Sequence, residues 1–238
     1  KRVCDFRTGQ ILISWEDNRG KWVRKAFVSR KDNVVVQVLE APDGNPFSCS
    51  LQLEVEPGMH FPDGMHFDYQ TSSDYLILRA KYPQGTGDAG YEGVTRVITN
   101  GGTRSVSGNT LQIQKTHKII LLSRTQKYFA DAGEHWKQQL LQKGLSKLPA
   151  SYAQLLEGQQ ETHQEIYDRV NLDFTAKPEN RKLTNEALLK LQQESDKPVK
   201  ALWERLFDAG RYYFLSASSN QMPPDLLGIW TGDCDAGW

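Results

Sequence analysis

Three aspartates near the end of the chain have the residue type for acid–base work: Asp225, Asp233 and Asp235, the last two separated only by Cys234. One protonated carboxyl can donate to a leaving group while an ionised partner activates water, if both are held rigidly. Asp233-Cys234-Asp235 could in principle pair across a cleft, but aspartates in loops beside glycine more often cap turns or face solvent, and that is the preferred reading. Trp230 and Trp238 offer flat indoles in the same segment, suited either to stacking on a ligand or to anchoring a turn. Arg211, inside Gly210-Arg211-Tyr212, could hold an anion, yet a buried structural ion pair is the stronger expectation for an arginine on a helix. Gly210 is expected to permit a close helix contact. His163 falls on an apolar helical stripe, where a core histidine bonded to backbone is the default. His60 and His66, with Asp63 and Asp68 nearby, match no standard ligand spacing and read as a polar loop, so no metal is expected. A phosphate-cradling glycine loop, a nucleophile elbow, a Cys-x-x-Cys pair and a glycosylation sequon are all missing from the sequence, and no cofactor is expected.

Those side chains need a scaffold. The 238 residues suffice for one large domain or two ordinary ones, and two is the better expectation. Hydrophobic residues at 38% and charged ones at 24% lie in the globular range. Acidic and basic residues balance at 29 each, so no overall field draws the chain to nucleic acid or an anionic membrane surface, and a neutral partner fits best. The longest apolar runs are strand-sized, which predicts no membrane insertion. The start, Lys1-Arg2-Val3-Cys4, has neither an initiator Met nor an apolar leader and suggests a processed or longer parent. Cys4, Cys49 and Cys234 are odd in number and give no disulfide framework.

Up to about residue 124 the chain reads as short apolar or alternating segments between turn signals, an all-β pattern approaching a dozen strands. Residues 11–15 and 22–28 flank Asp17-Asn18-Arg19-Gly20 as a hairpin. Residues 33–39, rich in valine, predict a central strand buried on both faces. Residues 47–55 put Leu51, Leu53 and Val55 on one inward face. Further strands are expected at 75–80, 93–98, 103–106, 110–114 and 118–123, with 56–74 and 83–91 as loops. Helical spacing begins after residue 126. A helix over 134–144 is expected with Gly144 as its C-cap, then one amphipathic helix over 151–170 and a third over 185–193. A fourth, over 199–216, is expected with Asp196 as N-cap, Pro198 in the first turn, and Leu202, Leu206, Phe207, Tyr213 and Phe214 as packing residues. Helices that follow strands without interleaving indicate an α+β protein.

The tail carries the most specific signal: Leu206-Phe207-Asp208-Ala209-Gly210-Arg211-Tyr212-Tyr213-Phe214, a Ser-rich end, then Pro223-Pro224-Asp225-Leu226-Leu227-Gly228-Ile229-Trp230. It resembles the segment by which glycoside hydrolase family 95 enters its catalytic barrel. His163 to Leu172 is similar to that family's linker helix, and Tyr91-Glu92-Gly93-Val94 with Gly101-Gly102 to late strands of its N-terminal β-domain. Gln221 and Leu227 stand where the family usually has glycine and glutamine, which marks a divergent member.

The resemblance implies an N-terminal antiparallel β-sandwich over 1–125, a helical linker over 126–197 and, over 198–238, the first helix of an (α/α)6 barrel. It implies an inverting exo-glycosidase acting on terminal α-L-fucose or the related α-L-galactose of a glycan. The catalytic acid and base would lie beyond Trp238, so this chain alone is expected to be inactive. Trp230 and Trp238, near a barrel mouth, become the candidate substrate-binding residues. The rivals are a carbohydrate-binding β-sandwich module without a catalytic parent, in which Trp15, Trp22 or Tyr82 would contact sugar, and a glycoside phosphorylase of the same architecture. Trp15 and Trp22 sit in strand periods beside apolar neighbours and read as core. The parent would be periplasmic or secreted. A barrel helix without its neighbours exposes apolar surface, so self-association is expected.

Overall fold

The computed structural model describes residues 1–129, except 57, 60, 62, 84, 86 and 87, together with residues 138–218 and 223–224. Among the described residues eleven strands come first: β1 Arg2–Asp5, β2 Gln10–Asp17, β3 Gly20–Ser29, β4 Val34–Glu40, β5 Phe47–Leu51, β6 His66–Thr71, β7 Tyr75–Lys81, β8 Asp88–Asn100, β9 Thr103–Ser107, β10 Thr110–Thr116 and β11 Lys118–Phe129. Five helices follow: α1 Gln138–Ser146, α2 Tyr152–Tyr167, α3 Pro178–Arg181, α4 Asn185–Gln193 and α5 Lys200–Ala217. Strands then helices, with antiparallel pairing throughout, make the chain an α+β protein.

Eight strands form one antiparallel sheet in the order β1-β2-β3-β4-β11-β8-β7-β6, and β5-β10-β9 form a small second sheet. The run Ile119-Ile120-Leu121-Leu122 on β11 shows why the large sheet is covered on both sides. Ile119 and Leu121 pack with Trp22, Phe47, Leu111 and Ile113 toward the small sheet. Ile120 and Leu122 pack with Val36, Val38, Leu145 of α1 and Leu155 of α2 on the opposite face. A continuous apolar run is the pattern of a strand enclosed from both sides, and each aliphatic side chain so buried contributes about 1.5–3 kcal/mol. The β-domain is thus layered as α1 and α2, large sheet, small sheet, while α3, α4 and the start of α5 enclose a separate small core.

The hairpin at Asn18-Arg19, the central place of β4 and the start of α2 at Ser151 agree with the sequence reading; Ser151 accepts a capping bond from the Gln154 amide. Several expectations need correction. β4 is not buried on both faces along its length, because Val34, Val36 and Val38 are buried while Val35 is 38% exposed, where the small sheet does not reach. β5 ends at Leu51, although Leu53 still packs against the same core. The segment read as a loop before residue 74 contains β6, an edge strand whose Phe67 and Tyr69 alternate with exposed His66, Asp68 and Gln70. β1 was not foreseen either, being a four-residue edge strand with every side chain exposed.

Gly144 lies inside α1 and does not cap it, since the helix runs on to Ser146. A Cβ there would come within 2.5 Å of Arg124 Nη1, the end of a long side chain that would have to shift. Pro198 precedes α5, whose N-cap is Val199 with no side-chain cap. Gln192 takes the work expected of Asp196: it accepts from the Val199 amide at 2.8 Å and donates to the carbonyls of Ser195 and Lys197.

Gly90 occupies the bulge where the β8–β11 register shifts after Tyr128, with φ +143°. A Cβ at this position would stand 1.9 Å from the Ala80 carbonyl oxygen. Gly90→Ala is expected to destabilise the chain by about 2 kcal/mol or more, read as a lowered denaturation midpoint. A midpoint equal to that of the parent would show that the bulge relaxes freely.

Candidate functional site at the helix-sheet seam

The Gly-Arg-Tyr motif sits on the C-terminal half of α5, where that helix meets the end of α2 and the edge of the large sheet. Helix C-termini leave carbonyls without intrahelical partners, and a guanidinium satisfies them while opposing the negative end of the helix dipole. Arg211 does this. Its Nη1 donates to the Tyr167 carbonyl at 2.7 Å and to the Val170 carbonyl at 2.5 Å, and its guanidinium lies 4.9 Å from the Tyr167 ring centre. The expected ion pair is therefore replaced by backbone capping. Gly210 faces open space and makes no close helix contact in the described part of the chain, contrary to expectation.

Tyr212, the next residue, packs its ring 5.3 Å from Phe6 and 6.0 Å edge-on to His163. His163 Nε2 donates to the Phe6 carbonyl at 2.8 Å, which confirms the core, backbone-bonded histidine and fixes its tautomer. Burial pushes the imidazole pKa down, with the Phe6 bond working the other way. The buried Gln159 carbonyl accepts from the Arg30 amide at 2.8 Å, so one α2 face holds both the β1–β2 loop and the β3–β4 turn. Gly9, at φ +69°, closes that loop against Gln159.

A cleft of about 560 Å³ opens beside this seam between Phe6, Arg7, Tyr167, Asp168, Asn171 and Asp208. Its carboxylates are already engaged. Asp168 accepts a two-pronged bond from Arg7 at 2.7 and 2.9 Å. Burial raises the Asp208 pKa, against the opposing hydrogen bond from Tyr167 and the charge of Arg211. Fully enclosed carboxylates elsewhere are engaged too. Glu92, between β7 and β11, meets Arg79 at 3.0 Å and the Tyr128 hydroxyl at 2.7 Å.

Sequence reasoning missed Glu204, which is 7% exposed on α5. It accepts from the amides of Phe174 and Ala176 and from Arg181 Nε at 2.8 Å, closing the 173–176 connection around the left-handed Thr175. The available signal was a glutamate at the spacing of Ala201 and Leu202 on the packing face. The Arg181 guanidinium holds its carboxyl down to about 2.

The sequence candidates divide clearly. Asp225, Asp233, Asp235, Trp230, Trp238 and His60 lie outside the described residues. His66 is exposed on β6, and no cluster of three metal-ligating side chains occurs among the described residues. Trp22 is buried, but Trp15 is 41% exposed, stacked 5.8 Å from Trp22 in nearly parallel planes, because it lies on the uncovered part of the sheet face. Leu202 packs as expected, whereas Leu206, Tyr213 and Phe214 are exposed.

Residues 1–132 match the glycosyl hydrolase family 65, N-terminal domain, and residues 151–238 match the glycosyl hydrolase family 95 catalytic domain. The chain is 30% identical, over 98% of its own length, to an Aspergillus niger protein named "Probable alpha-fucosidase A", and spans 29% of that protein. A solved structure provisionally named kojibiose phosphorylase, from the human microbiome, aligns with 70% of this chain and 24% of its own at 16% identity and a TM-score of 0.49.

Two outcomes are expected of the helical part. Because the folded Glu204 pKa lies below its unfolded value, its stabilisation is complete above about pH 4.3 and is lost as pH falls toward about 2. Glu204→Ala, which leaves the Phe174 and Ala176 amides without their acceptor and Arg181 with Asp173 alone, should lower the denaturation midpoint at pH 7 and flatten its decline in that acid window; an unchanged acid limb would exclude the linkage. Leu206 and Phe214, 57% and 60% exposed, should drive self-association. Sedimentation velocity is expected to show concentration-dependent oligomers that the double variant Leu206→Gln, Phe214→Gln reduces to monomer.

Proposed function

Because this chain belongs to the glycosyl hydrolase family 65 N-terminal domain over residues 1–132 and carries a family 95 catalytic match from residue 151, we propose that it is part of an inverting exo-glycoside hydrolase removing terminal α-L-fucose, or a closely related sugar, from glycans. The observation that carries this reading is the continuity of the likeness: 98% of the chain, sheet and helices together, aligns with the fucosidase-named relative. A carbohydrate-binding module alone would not explain the catalytic-domain match over α2 to residue 238.

In this reading residues 1–125 belong to the β-sandwich domain, 126–197 form the helical linker and 198–238 begin an (α/α)6 barrel. The apolar face of α5 at Leu206 and Phe214 suits a helix with barrel neighbours on that side. Inversion needs an acid to protonate the leaving oxygen and a base to activate water on the opposite face, their carboxyls roughly 6.5–9.5 Å apart. The engaged states of Glu92 and Glu204 favour scaffolding roles for both, and we place the acid and base outside residues 1–238. Arg211, Tyr212 and His163 then hold the first barrel helix in a set orientation on the β-domain. Trp230 and Trp238 offer indole faces to the sugar ring.

Hydrolysis of an aryl α-L-fucoside tests this. Residues 1–238 alone should show no turnover, while the protein extended to the span of its fucosidase-named relative should hydrolyse the substrate without added phosphate. Trp230→Ala in that longer protein should raise KM roughly tenfold, the loss of one stacking contact. Turnover by the short chain would refute the placement of acid and base; dependence on inorganic phosphate would replace hydrolysis by phosphorolysis.

A further inference from the structure

A second cavity, about 330 Å³, lies on the far side of α2 from the seam cleft, between Arg30 of the β3–β4 turn, Thr162, Glu165 and Arg169 of the α2 region, and Leu215 and Ser218 at the end of α5. Its charges are uneven. Arg169 is paired with Glu165 at 2.7 Å, on the surface. Two other acidic side chains of these segments are engaged elsewhere, Asp32 by the Ser29 hydroxyl and Glu161 by Lys31. Arg30 itself, half-buried, has one guanidinium bond among the described residues, Nη1 to the Ser218 carbonyl at 3.3 Å, and no carboxylate. Burial lowers its pKa with no opposing acidic neighbour. The Gln159 bond to its backbone amide holds the turn in place, so the side chain is presented from a fixed point.

A guanidinium carries five N–H donors in a planar fork whose spacing matches two oxygens of a phosphate or carboxylate. We propose that this cavity is an oxyanion site in which Arg30 supplies the fork, with Arg169, held by Glu165, at the rim. The hydroxyls of Thr162 and Ser218 now donate to the Gly158 and Leu215 carbonyls and can turn toward a bound oxygen. The ligand class is a small oxyanion, either free inorganic phosphate or the carboxylate of an acidic sugar. Occupancy would tie the β3–β4 turn, α2 and the end of α5 together at the point from which the chain runs on toward Trp230.

Calorimetric titration of residues 1–238 with inorganic phosphate, and separately with glucuronate, at ionic strength held constant with sodium chloride, tests this. Saturable binding at roughly millimolar Kd is expected, weakened about tenfold or more by Arg30→Gln and less by Arg169→Gln and Arg30→Lys. Tighter binding of phosphate identifies the free ion as the source, and tighter binding of glucuronate the sugar acid. Because Arg30→Gln also loses the Ser218 tie, its circular dichroism spectrum and melting in chloride are compared with those of the parent. If that variant does not fold, the other two carry the test. Absence of saturable binding by both anions, or affinity unchanged in every folded variant, overturns the proposal.

Discussion

A helix lying across a sheet must bury one face there and still leave groups with which to hold whatever comes next; α2 meets both demands with different residues. Tyr152 and Leu155 sink into the core formed by Phe27, Val34, Val36 and Val38. Gln159 and His163, one and two turns later on the same stripe, are polar and equally buried. They bond backbone groups of the β-domain. A buried polar side chain left unsatisfied would cost about 1–3 kcal/mol, so these bonds specify where along the sheet the helix can rest. The carbonyls at the far end of α2 are then in place for Arg211. The orientation of α5 therefore depends on the seating of α2, and the seating on two side-chain-to-backbone hydrogen bonds.

This arrangement explains why Phe-x-x-Gly-Arg-Tyr stands out in the sequence although its residues do no chemistry in the described structure. Arg211 reads three carbonyls at a helix end, and Tyr212 reads a loop through Phe6. Both partners are backbone or ring surfaces that many sequences can supply, whereas the arginine and tyrosine are specified by shape and donor number. The helical pair beyond is built on the opposite principle. Glu204 brings a charge into a small core of Ala176, Leu188, Val199, Ala201 and Leu202, where its two oxygens meet amides and a guanidinium.

The large-sheet strands were legible wherever hydrophobic runs were long or alternating, because a strand enclosed from both sides has to be apolar at successive positions. Ile119-Ile120-Leu121-Leu122 divides cleanly between the two cores for that reason. β1 and β6 were harder to read because edge strands bury little and carry polar side chains that loops also carry. Helix boundaries failed where another side chain took over the expected role: Gln192 displaced Asp196 at the start of α5. His163 was legible as a core histidine from its place on the stripe. Glu204 was not, because its backbone-amide partners lie 28 and 30 residues away and only folding brings them together.

The uncovered apolar surfaces follow from the same layering. The small sheet covers the large one over β11, β8 and β7, through Leu76, Val97 and Ile119, and leaves Ile11, Val28 and Val35 on the β2–β4 side 42%, 58% and 38% exposed. Register places these three on one face, since Ile11 pairs Ala26 and Val28 pairs Val35. Trp15 lies on it too, opposite Trp22, so the exposed indole continues an aromatic row that begins in the core. A strand surface meant for water would alternate apolar and polar residues between its two faces, and β3 and β4 do not do so here. The apolar residues on this face, like those of α5, therefore have the composition of a core boundary, and a sugar-binding role for Trp15 would have to compete with burial of that whole face.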